Sequence, residues 1–199
     1  MTSRIAPRVT DDTAGQIRSI ALELFAEQGF DGTSLQQIAD RLGFTKAALY
    51  YHYRSKDELL EAVVEPLFAD LEAAMDAAET SEGAKPANRR KRLEDYVDCL
   101  LSHRDVLGYL FRDLAALGRQ KVAQRGLALE ERISTAIAGT DLSLVNRIRV
   151  SFAINGMQGA IVGHADATPD QLRGPVLEGI DAALRAVRRD ITARTKAGR

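Results

Sequence analysis

Tryptophan is absent from the 199 residues, cysteine occurs once and proline only five times. A lone Cys99 cannot form an internal disulfide, so the chain is no disulfide-held secreted scaffold. Cysteine and histidine do not gather at ligand spacing, and neither a metal nor a cofactor is expected. No apolar signal-type segment opens the chain, and no run approaches eighteen consecutive apolar residues, which excludes a spanning helix on length. The expectation is a cytoplasmic protein without membrane contact. Few prolines and aromatics beside abundant Ala, Leu, Glu and Arg favour helices over strands. With 45% hydrophobic residues there is enough apolar material for a packed core, and an all-α fold follows.

An excess of charge of either sign is also missing. The formal net charge is −1, and residues 1–58 carry seven Lys/Arg against eight Asp/Glu, so global charge gives no hint of a nucleic-acid partner. The local pattern does. From Arg41 to Lys56 stand Arg41, Lys46, Arg54 and Lys56 with no acid between them, and Arg4 and Arg8 precede them in an N-terminal arm, 1–10. Two further basic runs, Lys85–Arg92 and Arg185–Arg199, read as a solvated helix start and a terminal tail.

Ile17, Ile20, Ala21, Leu24 and Phe25 recur at helical spacing between the cap Thr10-Asp11-Asp12 and Gly29, giving a first helix over about 11–28. Thr33-Ser34 opens a second, with Gln36 or Gln37 as capping-box partner and Leu35, Ile38, Ala39 and Leu42 inward, closed by Gly43. Thr45 caps a third that runs to about Tyr51. Ser55-Lys56-Asp57-Glu58 starts a long fourth helix in which Pro66 should introduce a kink. After a loop at 81–86, helices are expected at 87–102, 105–117, 119–138, 142–164 and, after a short helical turn from Thr168-Pro169, from Pro175 to about 191, about nine in all.

The second and third helices are joined by only about three residues, which forces the steep crossing of a helix-turn-helix; its second helix can enter a major groove about 12 Å wide. Leu35, Ile38, Leu42, Leu49 and Tyr53 face the first helix, leaving Thr45, Lys46, Ala47, Ala48 and Tyr50 outward. Ala21-Leu22-Glu23-Leu24-Phe25-Ala26-Glu27-Gln28-Gly29-Phe30, Gly32-Thr33-Ser34, Ile38-Ala39 and Leu42-Gly43 resemble the TetR family of bacterial transcriptional regulators. So do Thr45-Lys46-Ala47-Ala48-Leu49-Tyr50-Tyr51-His52-Tyr53 and Ser55-Lys56-Asp57-Glu58-Leu59-Leu60. The resemblance covers about residues 14–64 without a gap, and the remaining residues carry no diagnostic motif.

That resemblance implies a head over 11–54 that reads double-stranded DNA, a helical effector-binding and dimerisation domain over 55–192, and a tail over 193–199. Lys46, Ala47 and Tyr50 become the base-edge readers, with Ala48 beside them; Lys46 can donate to guanine O6/N7 and Ala47 can touch a thymine methyl. Thr33, Ser34, Gln36, Tyr51, His52 and Lys56 become phosphate contacts. Each has a plainer reading. Tyr53 and Tyr51 could be core rings, His52 a surface histidine, and Thr33 and Ser34 caps alone. For Lys56, a cation opposing the helix dipole is better explained by a phosphate partner.

Gly156, Gly159, Ala160 and Gly163 fall on one helix face, and Gly179, Ala182, Ala183 and Ala186 repeat the spacing. Close packing within one subunit is one account. A second copy is the other, since the family pairs its last two helices into a four-helix bundle, and two-fold symmetry then demands a palindromic operator. Tyr96, Cys99, His103, Tyr109, Arg112, Phe152, Asn155 and Gln158 are candidates to line an effector pocket, with core packing the alternative for each and the dimer seam a further one for Asn155 and Gln158. The function implied is a repressor released by a small-molecule effector; the alternative is a dimeric DNA-binding regulator without one. No phosphate loop, nucleophile elbow or metal spacing points to an enzyme.

Overall fold

The computed structural model describes residues 11–80, 85–139 and 143–197. The arm at 1–10, with Arg4 and Arg8, lies outside the described residues, as do 198–199 of the tail and most of the loop at 81–86. Among the described residues there are ten α-helices and no strand: α1 (Asp11–Gly32), α2 (Leu35–Leu42), α3 (Lys46–His52), α4 (Lys56–Glu79), α5 (Arg89–Ser102), α6 (Arg104–Arg112), α7 (Leu114–Leu117), α8 (Gln120–Ala138), α9 (Leu144–Gly163) and α10 (Pro169–Ala197), with a 3-10 turn at Pro86–Asn88 before α5.

The caps account for most of these boundaries. Gly29, at φ 77°, breaks α1 and leaves one short turn before Gly32. Ser34 and Gln37 form a reciprocal capping box, with the Gln37 amide donating to Ser34 Oγ at 3.2 Å and the Ser34 amide to Gln37 Oε1 at 2.7 Å. Gly43, left-handed at φ 69°, closes α2. Thr45 Oγ1 accepts from the Ala48 amide at 3.1 Å and starts α3.

Three expectations differ from the structure. The span expected as one helix over 105–117 breaks at Asp113, whose Oδ1 accepts from the Ala115 and Ala116 amides and so caps a separate turn, α7. The last helix starts at Pro169 rather than Pro175, because Thr168 and Gln171 make a capping box; Pro175 sits inside it. It also runs past the expected end near 191 to Ala197, since residues 191–197 hold no glycine or proline.

The chain divides into two compact units. Among the described residues, one comprises those up to Pro66 with Gly108–Gln124; the other comprises those of Leu67–Leu107 with those from Arg125 on. Pro66 thus marks a boundary within α4, and α4, α6 and α8 each contribute residues to both units. In the first, α1 packs on α2 and α7, and α2 on α3, around Ile17, Phe25, Phe30, Ile38, Leu49 and Leu59, each no more than 1% exposed. In the second, α9 lies along α10 and both meet α5, over Leu93, Tyr96, Val97, Leu100, Ile161, Ile180 and Val187. Arg125 clamps Glu72 with two bonds of 2.6 and 2.8 Å, and Arg132 bonds Asp76 at 2.7 Å and Glu79 at 2.8 Å, lacing α8 to the second half of α4. No helix among the described residues is long and apolar enough to cross a membrane.

Candidate nucleic-acid interface

The reading head stands on two side chains. Leu49 is fully buried, and Tyr53, extended just beyond α3, is 8% exposed. With these turned inward, Thr45, Lys46, Ala47 and Tyr50 are exposed together and Ala48 is half-buried. Lys46 Nζ lies 5.6 Å from the centre of the Tyr50 ring, so the cation and the phenol share the outer surface of α3. Tyr51 is 79% exposed, which sets it apart from Tyr53. Its ring meets the half-buried His52 edge-on at 5.8 Å. The surface thus combines a flexible donor, two small residues that permit close approach, and phenolic hydroxyls, a set suited to base edges and flanking phosphates.

At the start of α2, Ser34 and Gln36 are exposed, the latter bonded to Asp40 at 2.7 Å. Thr33 is only 2% exposed, and its hydroxyl is spent inward on the Leu24 and Gly29 carbonyls at 3.1 and 2.9 Å. Its side chain is not brought to the surface. Lys56 has its own protein acceptors: its ammonium donates to the carbonyls of Phe30 and, at 2.8 Å, Thr33. The cation at the α4 N-terminus is therefore balanced by carbonyls at the end of α1, with no phosphate needed to explain it. Arg54, just after α3, is exposed and was absent from the candidate set. The signal for it was the acid-free window itself.

Residues 17–63 match the model of the bacterial regulatory proteins of the tetR family. Over this region the chain is 46% identical across 48 residues to the negative transcriptional regulator IcaR of the biofilm operon icaADBC of Staphylococcus epidermidis. It is also 44% identical across 50 residues to the class A tetracycline repressor from transposon 1721 of Escherichia coli. The fold extends the likeness to most of the chain. A transcriptional regulator from Aquifex aeolicus superposes with a TM-score of 0.65 at 20% identity, over 85% of this chain and 98% of that one. A TetR regulator from Streptomyces coelicolor gives 0.64 at 21%, over 94% and 92%.

Residues 17–63 form a tetR-family N-terminal domain.

The sequence matches are local: those with IcaR and the tetracycline repressor cover 24% and 25% of this chain and only 26% and 23% of the relatives. Outside residues 17–63 the chain is described by its own geometry. Gly156, Ala160, Gly179 and Ala183 line a groove of about 430 Å³ along α9 and α10, with Phe152 and Met157 among its other walls. Gly159, Gly163 and Ala182 are exposed and Ala186 half-buried. Among the described residues, a Cβ added at Gly156, Gly159, Gly163 or Gly179 would meet no atom within 4 Å beyond its own stretch of helix backbone. No neighbouring helix of the same subunit therefore requires glycine at these positions.

The pocket candidates are divided between the two compact units. Tyr109 and Arg112 belong to the compact unit of the head, and the other six to the second unit. Tyr109 is buried, its ring stacked on Phe25 at 5.8 Å, and Arg112 is exposed. Within the second unit Gln158 Nε2 donates to the hydroxyl of the fully buried Tyr96 at 2.9 Å. His103 Nε2 lies 2.7 Å from Asp70 Oδ2. Burial pushes the half-buried Cys99 thiol up to about 12, leaving no nucleophilic thiolate at neutral pH. Phe152 is 77% exposed at the small-residue groove, and Asn155, also exposed, turns back to the Ser151 carbonyl.

Proposed function

We propose that this protein is a sequence-specific DNA-binding transcriptional regulator of the TetR family, a repressor that leaves its operator when a small-molecule effector binds outside the head. The single observation that carries the DNA-binding part is the exposed face of Thr45, Lys46, Ala47 and Tyr50 on a short helix seated on the buried Leu49. In a major groove, Lys46 donates to guanine O6/N7, Ala47 meets a thymine methyl, and the Tyr50 hydroxyl bonds a base edge, with Ala48 beside it. Ser34, Gln36, Tyr51 and His52 hold phosphates on either side and set the register, and Arg54, in the stretch 41–56 that carries no acid, adds attraction.

One such helix reads too few base pairs, so the active species is a homodimer on a palindromic operator. The open space over the α9 and α10 glycines supports this: a residue type that costs about 1 kcal/mol inside a helix recurs where the subunit itself does not need it. The effector binds in the second unit, with the Tyr96–Gln158 pair as its polar landmark. It favours a conformation in which the two heads no longer match successive grooves, and operator affinity falls by the difference in binding energy.

The test is selection of duplexes from a randomised pool, together with genome-wide mapping of bound DNA. A two-fold symmetric motif with two short conserved islands is expected, and its neighbouring genes then indicate compounds to screen for release. Binding without any preferred sequence would refute the reading of α3.

A further inference from the structure

We propose that Asp113 is a positioning residue for the DNA-reading head: its carboxylate clasps the turn between α1 and α2 and so fixes the orientation of the helix-turn-helix. This rests on the DNA-binding reading above. The turn begins where Gly29, at φ 77°, takes α1 out of helical geometry. The Phe30 amide that follows donates to Asp113 Oδ2 at 2.5 Å, across 83 residues of sequence. The other oxygen, Oδ1, caps α7 through the Ala115 and Ala116 amides at 3.0 and 3.1 Å. One carboxylate thus ties together two backbone segments. A helix cap alone would have used one oxygen.

The surroundings hold the same turn. The Phe30 ring is fully buried, with the Lys56 ammonium 4.4 Å and the Arg119 guanidinium 4.5 Å from its centre. Lys56 also bonds the Phe30 and Thr33 carbonyls, and Arg119 reaches Asp31 at 3.0 Å and Asp57 at 3.4 Å. Burial works to raise the Asp113 carboxyl, but the Phe30, Ala116 and Ala115 amides and the Tyr109 hydroxyl together outweigh it and hold the group below the usual carboxylate range. Only Thr33 and Ser34 separate this turn from α2. A pivot at Phe30 is therefore passed to α2 and α3 together.

The role differs from capping in a testable way. Asp113→Ser keeps a good N-cap for α7 but is too short to serve both segments, whereas Asp113→Asn keeps an oxygen at reach without the charge. Each is assayed as the full-length protein with the duplex selected above and with a random duplex of equal length. Asp113→Ser is expected to bind the selected duplex about tenfold more weakly and the random one unchanged, with Asp113→Asn in between, because phosphate contacts tolerate a mobile head and base contacts do not. Amide hydrogen exchange at Phe30 should accelerate in Asp113→Ser in the absence of DNA. Unchanged specific binding by Asp113→Ser, equal losses on both duplexes, or unaltered Phe30 exchange each overturn the proposal. If the parent selects no sequence, the DNA-binding reading fails, and the exchange experiment still decides whether the clasp exists.

Discussion

Lys46 and Tyr50 occupy one exposed surface of α3, and the ammonium near the phenol ring is free to swing onto a base edge at little cost. Lys46→Ala is expected to relax selectivity at a single operator position and to cost about 1–3 kcal/mol on the preferred duplex. A binding-site selection with the variant checks this: degeneracy at one position per half-site is the expected profile, and an unchanged profile refutes the assignment. At this scale the sequence was legible where a residue's role is local. Ser34 and Thr45 cap as their positions imply, and Leu49 is buried as its spacing implies. It was opaque where a role depends on distant backbone. Nothing in Thr33-Ser34 tells which hydroxyl turns inward, since the acceptors of Thr33 are the Leu24 and Gly29 carbonyls. Lys56 looked unbalanced only because the carbonyls it satisfies lie more than twenty residues earlier.

Among the elements, α9 and α10 present their glycine and alanine faces to an open groove. Gly159→Leu is expected to leave the subunit's helix content intact, since a Cβ added there meets no atom of the described residues within 4 Å, while converting the proposed dimer to monomer in sedimentation or size-exclusion measurements. Removal of the interior glycine alone favours the helix by up to about 1 kcal/mol, so a fall in helix content would argue against the dimer reading. The helices themselves could be read from caps and periodicity. Their exact number could not, because Asp113 interrupts an otherwise continuous apolar pattern by capping a new turn, and Pro175 is tolerated within α10 once Thr168 has started it. Phe152 was placed among pocket residues by spacing alone; which side of α9 it occupies depends on how α9 meets α5 and α10.

For the molecule as a whole, a net charge of −1 hides a strong internal pairing of opposite charges. In the second unit, Arg125 bonds Glu72 and holds its carboxyl below the ordinary range, against the opposing effect of burial. The sign follows from that direction. A carboxylate with a depressed folded-state value contributes stability above its unfolded value, about pH 4.3, and loses it as pH falls through the lower folded value. Glu72→Gln should therefore lower the thermal midpoint at pH 7 and flatten its decline below about pH 4.3. Parallel melting curves for parent and variant across pH 3–7 would refute this.

The shortness of α3 also limits information. Seven residues make a helix of about 10 Å, which spans about three base pairs at about 3.4 Å each. Two copies in the proposed homodimer would inspect about six, a string that recurs by chance once in roughly four thousand positions. Among roughly a million competing sites, that leaves a few hundred accidental matches. Discrimination beyond those six pairs must come from the flanking phosphate contacts and from the ease with which the intervening duplex bends.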